Sequence, residues 1–218
     1  MKENGYEYVD LGLPSGTMWA NCNVGATKQE DTGLLFQFGK TNGCMFNDGN
    51  TYNFDHVPMS SPTGGNVKYM TEDDSLYSFI PHTASGKIYK TGDILNLEDD
   101  IAHVNMGGKW RMPTGDEIRE LIEYTEASPF YLNDVKGIML TSKTNSQRLF
   151  IPFSGYYVPG YFVEYNHYQQ SYILSSEVSC DKDYKVCAME IFNDNQICGA
   201  LYCETYRCYG LPVRGVFK

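Results

Sequence analysis

The amino-acid sequence predicts an α+β fold, with its helices in the first part of the chain and a tyrosine-rich antiparallel sheet at the end. The segment from Thr114 to Thr125 joins a capping box to one-face apolar spacing, which specifies a helix. Six other segments hold β-branched and aromatic residues between glycine and proline breaks, which specifies strands. Ten of the 18 tyrosines fall in the last 68 residues, where no strong helical pattern occurs.

Taken in chain order, the first strand is expected at Tyr6–Leu11. Thr27-Lys28-Gln29-Glu30 offers a capping box for a short helix over 28–34, and Leu34–Phe38 reads as the next strand. Residues 40–98 look like an insertion. Thr41-Asn42-Gly43, Asn47-Asp48-Gly49-Asn50 and Ser60-Ser61-Pro62-Thr63-Gly64-Gly65 are turn chemistry, and the apolar residues between them are unperiodic. A further short helix is expected over Leu97–His103. The best helix then runs over 115–127, with Asp116 and Glu117 favouring its dipole and Pro113 and Pro129 bounding it. The remaining strands are Leu149–Phe153, Tyr172–Ser175, Val186–Phe192 and Leu211–Phe217. Pro212 lacks an N–H, so the last of these belongs at an edge or a bulge.

Trp19 and Trp110 are expected to anchor the core, Trp110 below the helix over 115–127. Arg111 and Arg214 are candidates for buried ion pairs with Asp116 or Glu117.

Size and charge restrict function. A chain of 218 residues with 42% hydrophobic residues can form one domain, 1–218, around a sizeable core. The formal net charge is −10 and the first 100 residues hold 14 acids against 6 bases, which argues against nucleic acid or an anionic membrane as the main partner. No run of 18 apolar residues occurs, so no membrane insertion is expected. The opening Met1-Lys2-Glu3-Asn4-Gly5-Tyr6 lacks the apolar core of a signal peptide. Export without a classical signal, carriage on a larger particle or trimming would each account for that start.

Three motifs carry a resemblance. Tyr8-Val9-Asp10-Leu11-Gly12-Leu13-Pro14-Ser15-Gly16-Thr17-Met18-Trp19-Ala20, continued by Asn23-Val24-Gly25-Ala26-Thr27, opens the chain. Gly107-Gly108-Lys109-Trp110-Arg111-Met112-Pro113-Thr114 precedes the best helix, and Tyr209-Gly210-Leu211-Pro212-Val213-Arg214-Gly215-Val216 closes the chain. In that order they resemble the Fibrobacter succinogenes major paralogous domain family of gut Bacteroidetes and their phages. The resemblance implies a C-type-lectin-like fold, with two main helices around a small twisted antiparallel sheet and long loops. It also implies kinship with the variable proteins of diversity-generating retroelements, whose C-terminal stretch is mutated to vary a ligand-binding surface. That zone corresponds here to about 156–210. Two departures are visible: Leu174 stands where the family shows Trp, and Leu211-Pro212 replaces its closing Phe-Ser.

On this basis the candidate ligand-binding residues are Tyr161, Tyr165, His167, Tyr168, Tyr172, Tyr184, Cys198, Tyr202, Cys203, Tyr206, Cys208 and Tyr209. Tyrosine supplies rigid contact area with a polar tip, which is the chemistry of antibody loops. From Ile197 to Gly210, only Glu204 lies outside the residues that adenine-directed mutation of Asn codons can yield. The duller reading is that a β-rich segment simply favours tyrosine.

Motifs for chemistry are weak. Gly33-Leu34-Leu35-Phe36-Gln37-Phe38-Gly39-Lys40-Thr41 has one residue too many for a phosphate loop, and the intervening residues are apolar. The four histidines are scattered, and Asp181 and Asp183 lack the spacing of a calcium loop. The seven cysteines include no Cys-x-x-Cys, so free thiols are expected rather than zinc or a disulfide scaffold. Cys203 and Cys208 are spaced like the late cysteine pair of the formylglycine-generating enzymes, which gives a cysteine oxidase as an alternative. The expectation is a non-catalytic protein without a metal or other cofactor, displayed on a cell surface, secreted or on a virion, and binding a protein or glycan on a cell surface. A structural or adhesin module is the other alternative.

Overall fold

The computed structural model describes residues 1–45, 82–157, 170–194 and 197–218. The expected insertion over 40–98 therefore lies largely outside the described residues. Thirteen strands and two helices are described. In chain order they are β1 (Lys2–Glu3), β2 (Tyr6–Val9), β3 (Met18–Ala20), β4 (Leu34–Phe36), β5 (Cys44–Met45), α1 (Ile101–Met106) and α2 (Gly115–Tyr124). There follow β6 (Thr125–Leu132), β7 (Val135–Ser142), β8 (Arg148–Pro152), β9 (Gln170–Val178), β10 (Lys185–Asn193), β11 (Cys198–Tyr206), β12 (Leu211–Pro212) and β13 (Val216–Phe217).

The α+β expectation, with its C-type-lectin-like fold of two main helices and one small sheet, is overturned. Strand accounts for 42% of the described residues and helix for 10%. The strands form four small sheets, ordered β1-β2-β3-β13, β11-β10-β9, β12-β4-β5 and β6-β7-β8. The physical reason is visible after α2. Its last turn ends at Tyr124, where the Thr125 hydroxyl donates to the Leu121 carbonyl at 2.7 Å. The chain enters β6 at once, and β6 and β7 pair over eight residues from Thr125↔Ser142 to Leu132↔Val135. Pro129 does not end a helix. It lies in β6, an edge strand, where its missing N–H costs no ladder bond.

Other helical expectations divide. α2 has the predicted capping box, with Thr114 and Glu117 serving each other's backbone. The helix expected at Leu97–His103 starts later, because Asp100 accepts from the His103 N–H and caps α1 at Ile101. No helix forms over 28–34. The Asp31 carboxylate takes the Thr27 and Lys28 N–H groups into a turn, and Gly33 follows with φ +75°.

Two apolar clusters form the core. One joins Trp110, Met106, Phe36, Phe38, Tyr89, Leu174, Val186 and Phe217. The other joins Trp19, Ile118, Leu121, Ile151, Ile173, Met189 and Ile191. The two tryptophans are fully buried, but it is Trp19 that lies with the apolar residues of α2. Trp110 packs edge-on against Phe217 at 4.8 Å and Tyr6 at 6.4 Å. Neighbouring Ile173 and Leu174 belong to different clusters, so β9 and β10 are buried on both faces, which explains the unbroken apolar run Val186–Met189. Among the described residues no helix is long and apolar enough to cross a membrane.

Candidate functional site

Strands β9, β10 and β11 carry most of the candidate residues, and their register decides which side chains meet. Directly opposed residues share a face. Tyr172 of β9, Glu190 of β10 and Leu201 of β11 form one such row. Gln170, Phe192 and Gly199 form the row on one side, and Leu174, Ala188 and Cys203 the row on the other.

From this face a line of tyrosine rings runs toward the start of β10. Tyr172 meets Tyr156 edge-on at 5.0 Å, and Tyr156 stacks on Tyr209 at 5.7 Å with planes 18° apart. Tyr209 meets Tyr206 at 5.2 Å, and Tyr206 stacks on Tyr184 at 6.2 Å with planes 10° apart. All five are half-buried.

Backbone bonds hold the line in place. Tyr157 and Gly210 exchange N–H···O bonds at 2.8 and 2.9 Å, which sets Tyr156 against Tyr209. The Tyr209 N–H donates to the Tyr206 carbonyl at 3.1 Å, and the Arg207 N–H to the Tyr184 carbonyl at 3.0 Å. Arg207 itself is fully buried. Its Nη1 donates to the carbonyls of Tyr89 and Asp183 at 3.0 and 2.8 Å, and its guanidinium lies 4.7 Å from the Phe38 ring centre. Burial lowers that guanidinium to about 10, and the nearby Asp183 and Asp93 charges oppose the shift, so it stays protonated at neutral pH.

Of the candidate residues, Tyr172, Tyr184, Tyr206 and Tyr209 are thus brought together. Cys203 lies on the Tyr172 face. Tyr202 does not join them. It faces α2, where the Arg119 guanidinium sits 3.8 Å from its ring centre and its hydroxyl donates to Cys187 Sγ at 2.7 Å. Cys198 packs with the second core cluster on that same side. Cys208 is fully buried, so its expected surface role is corrected. Tyr161, Tyr165, His167 and Tyr168 lie outside the described residues.

Tyr156 and Glu190 were not among the candidates. Tyr156 stood at the border of the expected variable zone. Glu190 had a signal in the sequence, a lone carboxylate within the apolar run Val186–Phe192.

The electrostatics of the face follow from its half-buried state. Burial, then the Glu190 charge, raises the Tyr172 hydroxyl well above the usual phenol range. Burial and Glu190 push the Cys203 thiol up to about 12, and burial takes Cys208 to about 12 as well. Cys187 reaches about 11 through burial, although the Tyr202 hydroxyl bond opposes the rise. These thiols are protonated at neutral pH, the reverse of what a thiolate nucleophile needs. All seven cysteines are free, and Cys180 is the exposed one. Titration of the native protein with a chromogenic disulfide is expected to modify Cys180 rapidly and the buried Cys187 and Cys208 only after urea is added. Rapid native modification of either of those two would contradict their placement.

A separate groove of about 650 Å³ lies between β1–β2, residues 21–30 and the β6–β7 turn. Its carboxylates already have partners: Glu7 pairs with Lys2 at 3.8 Å and accepts from Asn21, and Glu30 accepts from Asn133 at 2.8 Å. Among the described residues no group of three or more His, Cys, Asp or Glu is placed to hold a metal ion. Compared with family models, with curated proteins and with solved structures, the chain matches none.

Proposed function

We propose that this protein is a non-catalytic recognition module that presents its tyrosine line to a macromolecule on a cell surface. The observation that carries this reading is the continuous run of half-buried rings Tyr172, Tyr156, Tyr209, Tyr206 and Tyr184. Rings that are already stacked lose little freedom when a partner docks, so more of the contact energy remains as affinity. The raised thiols of Cys203 and Cys208 favour this reading over a cysteine oxidase. Diversification of the surface is supported by the motif resemblance alone. A nearby reverse transcriptase and a template repeat differing only at adenines would be its signature in the coding DNA.

The test is binding of the labelled protein to a panel of bacterial cells and immobilised glycans. The double variant Tyr206→Ser/Tyr209→Ser is expected to bind at least tenfold more weakly, since truncating central aromatic contacts costs about 2 kcal/mol or more. Unchanged binding by a variant that melts like the wild type would refute the reading.

A further inference from the structure

We infer that the Tyr172 end of this face takes a lysine or arginine side chain presented by an extended segment of a partner protein. The inference rests on the recognition reading above and names the partner's chemistry.

The starting point is Glu190. Its carboxylate is half-buried, accepts a hydrogen bond from Gln170 Nε2 and is bonded to the Tyr172 hydroxyl, both neutral groups. No lysine, arginine or histidine among the described residues forms an ion pair with it. A negative charge is therefore held among an aromatic ring, a protonated thiol and aliphatic carbon with no counter-ion among the described residues. Hydrogen bonds from neutral groups leave its charge without an opposite one, and an arriving cation would be attracted more strongly there than at a fully solvated carboxylate.

The surroundings suit a cation carried on an alkyl stem. Leu201, directly opposite Glu190, is 39% exposed. Phe192 lies over Gly199, where an added Cβ would approach its ring to 3.2 Å, so the ring fills the space of the missing side chain. Together they offer apolar surface on which the methylenes of lysine or arginine can lie while the charged head reaches Glu190 and the Tyr172 ring.

Ammonium groups already occupy ring faces at the other end of the line. Lys182 Nζ stands 5.5 Å from the Tyr184 centre and Lys185 Nζ 5.4 Å from that of Tyr206. The net charge of −10 attracts basic partners at long range and repels phosphorylated or sulfated ones.

The probes are four fluorescent octapeptides in which glycine alternates with lysine, arginine, serine or glutamate, measured by anisotropy in moderate salt. The lysine or arginine peptide is expected to bind at least tenfold more tightly than the serine peptide. Glu190→Gln, which keeps the shape of the side chain, should abolish that preference. Tyr172→Leu should weaken it. Glu204→Gln removes an exposed acid whose position in the register puts it on the opposite face, and should leave the preference intact. Equal loss in Glu190→Gln and Glu204→Gln would reduce the effect to net charge and overturn the inference, as would a lack of preference in the wild type. If Tyr206→Ser/Tyr209→Ser loses cell or glycan binding while Glu190→Gln does not, the cation site falls and the recognition reading stands. If neither variant affects any binding, both fall.

Discussion

Replacing Arg214 with leucine is expected to lower the unfolding free energy by about 4 kcal/mol, because three acceptors lose a donor they share. Arg214 is fully buried and pairs with no carboxylate among the described residues. Its Nε and Nη2 both donate to Asn23 Oδ1, at 3.0 and 2.8 Å, and its Nη1 donates to the carbonyls of Phe150 at 2.9 Å and Asn21 at 3.2 Å. Asn23 passes the connection on, donating to the Thr32 carbonyl at 2.9 Å. One side chain thus ties the 21–23 loop, β8 and the approach to β13. Each buried acceptor left bare costs about 1–3 kcal/mol. Lysine would not restore the bonds, since an ammonium lacks the planar fork that reaches both Asn23 and Phe150. Urea unfolding of Arg214→Leu and Arg214→Lys would measure this. A loss below about 1 kcal/mol would mean that water or rearranged side chains replace the guanidinium.

The second large effect is expected at Glu117, with a characteristic dependence on pH. Its carboxylate takes a two-pronged bond from Arg111, Nη1 to Oε2 at 2.7 Å and Nη2 to Oε1 at 2.5 Å, also accepts from Thr17 and Thr114, and lies 3.6 Å from the Lys218 ammonium. Burial pushes this carboxyl up. The Arg111 bonds, the Thr114 N–H and the neighbouring positive charges outweigh it and hold the group at about 2, against 4.5 when unperturbed. A carboxyl whose pKa falls on folding stabilises the fold above its unfolded value, and that contribution disappears as pH drops from about 4.5 toward 2. Glu117→Gln is expected to cost about 3 kcal/mol at pH 7, the low end for a broken buried pair, because the Arg111 side chain is 30% exposed. The difference between wild type and variant should shrink steadily on acidification through that window. A difference that does not change with pH would show that packing at the start of α2, rather than charge, is what the variant loses.

Legibility followed the range of the interactions. α2 could be read because its start is fixed by residues three apart, Thr114 and Glu117, whatever the rest of the chain does. The same letter pattern at Thr27–Glu30 misled because a neighbouring carboxylate, Asp31, competes for the same N–H groups. The β6–β7 hairpin was hidden behind the end of a helical pattern. β11 was hidden because Cys198, Gly199, Ala200 and Glu204 favour no strand on their own, and pairing with β10 along nine residues makes them one. In the candidate site, tyrosine content was visible as composition. Which rings touch was not, because Tyr156 meets Tyr209 through a bridge between Tyr157 and Gly210, and Glu190 meets Tyr172 only through strand register. Tyr202 shows the limit plainly. Its neighbours Leu201 and Cys203 take the Tyr172 face, so alternation turns its own ring toward Arg119.

The sheet β1-β2-β3-β13 sets Trp19 opposite Val216, and Arg111 forms an isolated bridge to the same valine. During synthesis, β2 and β3 leave the ribosome long before the strand that completes their sheet. Until Val216 and Phe217 follow, Trp110 has Tyr6 but lacks the Phe217 ring it packs against, and β3 has an open edge. Until then the nascent chain carries an unpaired strand edge and a partly uncovered indole, the two features that favour association with other chains.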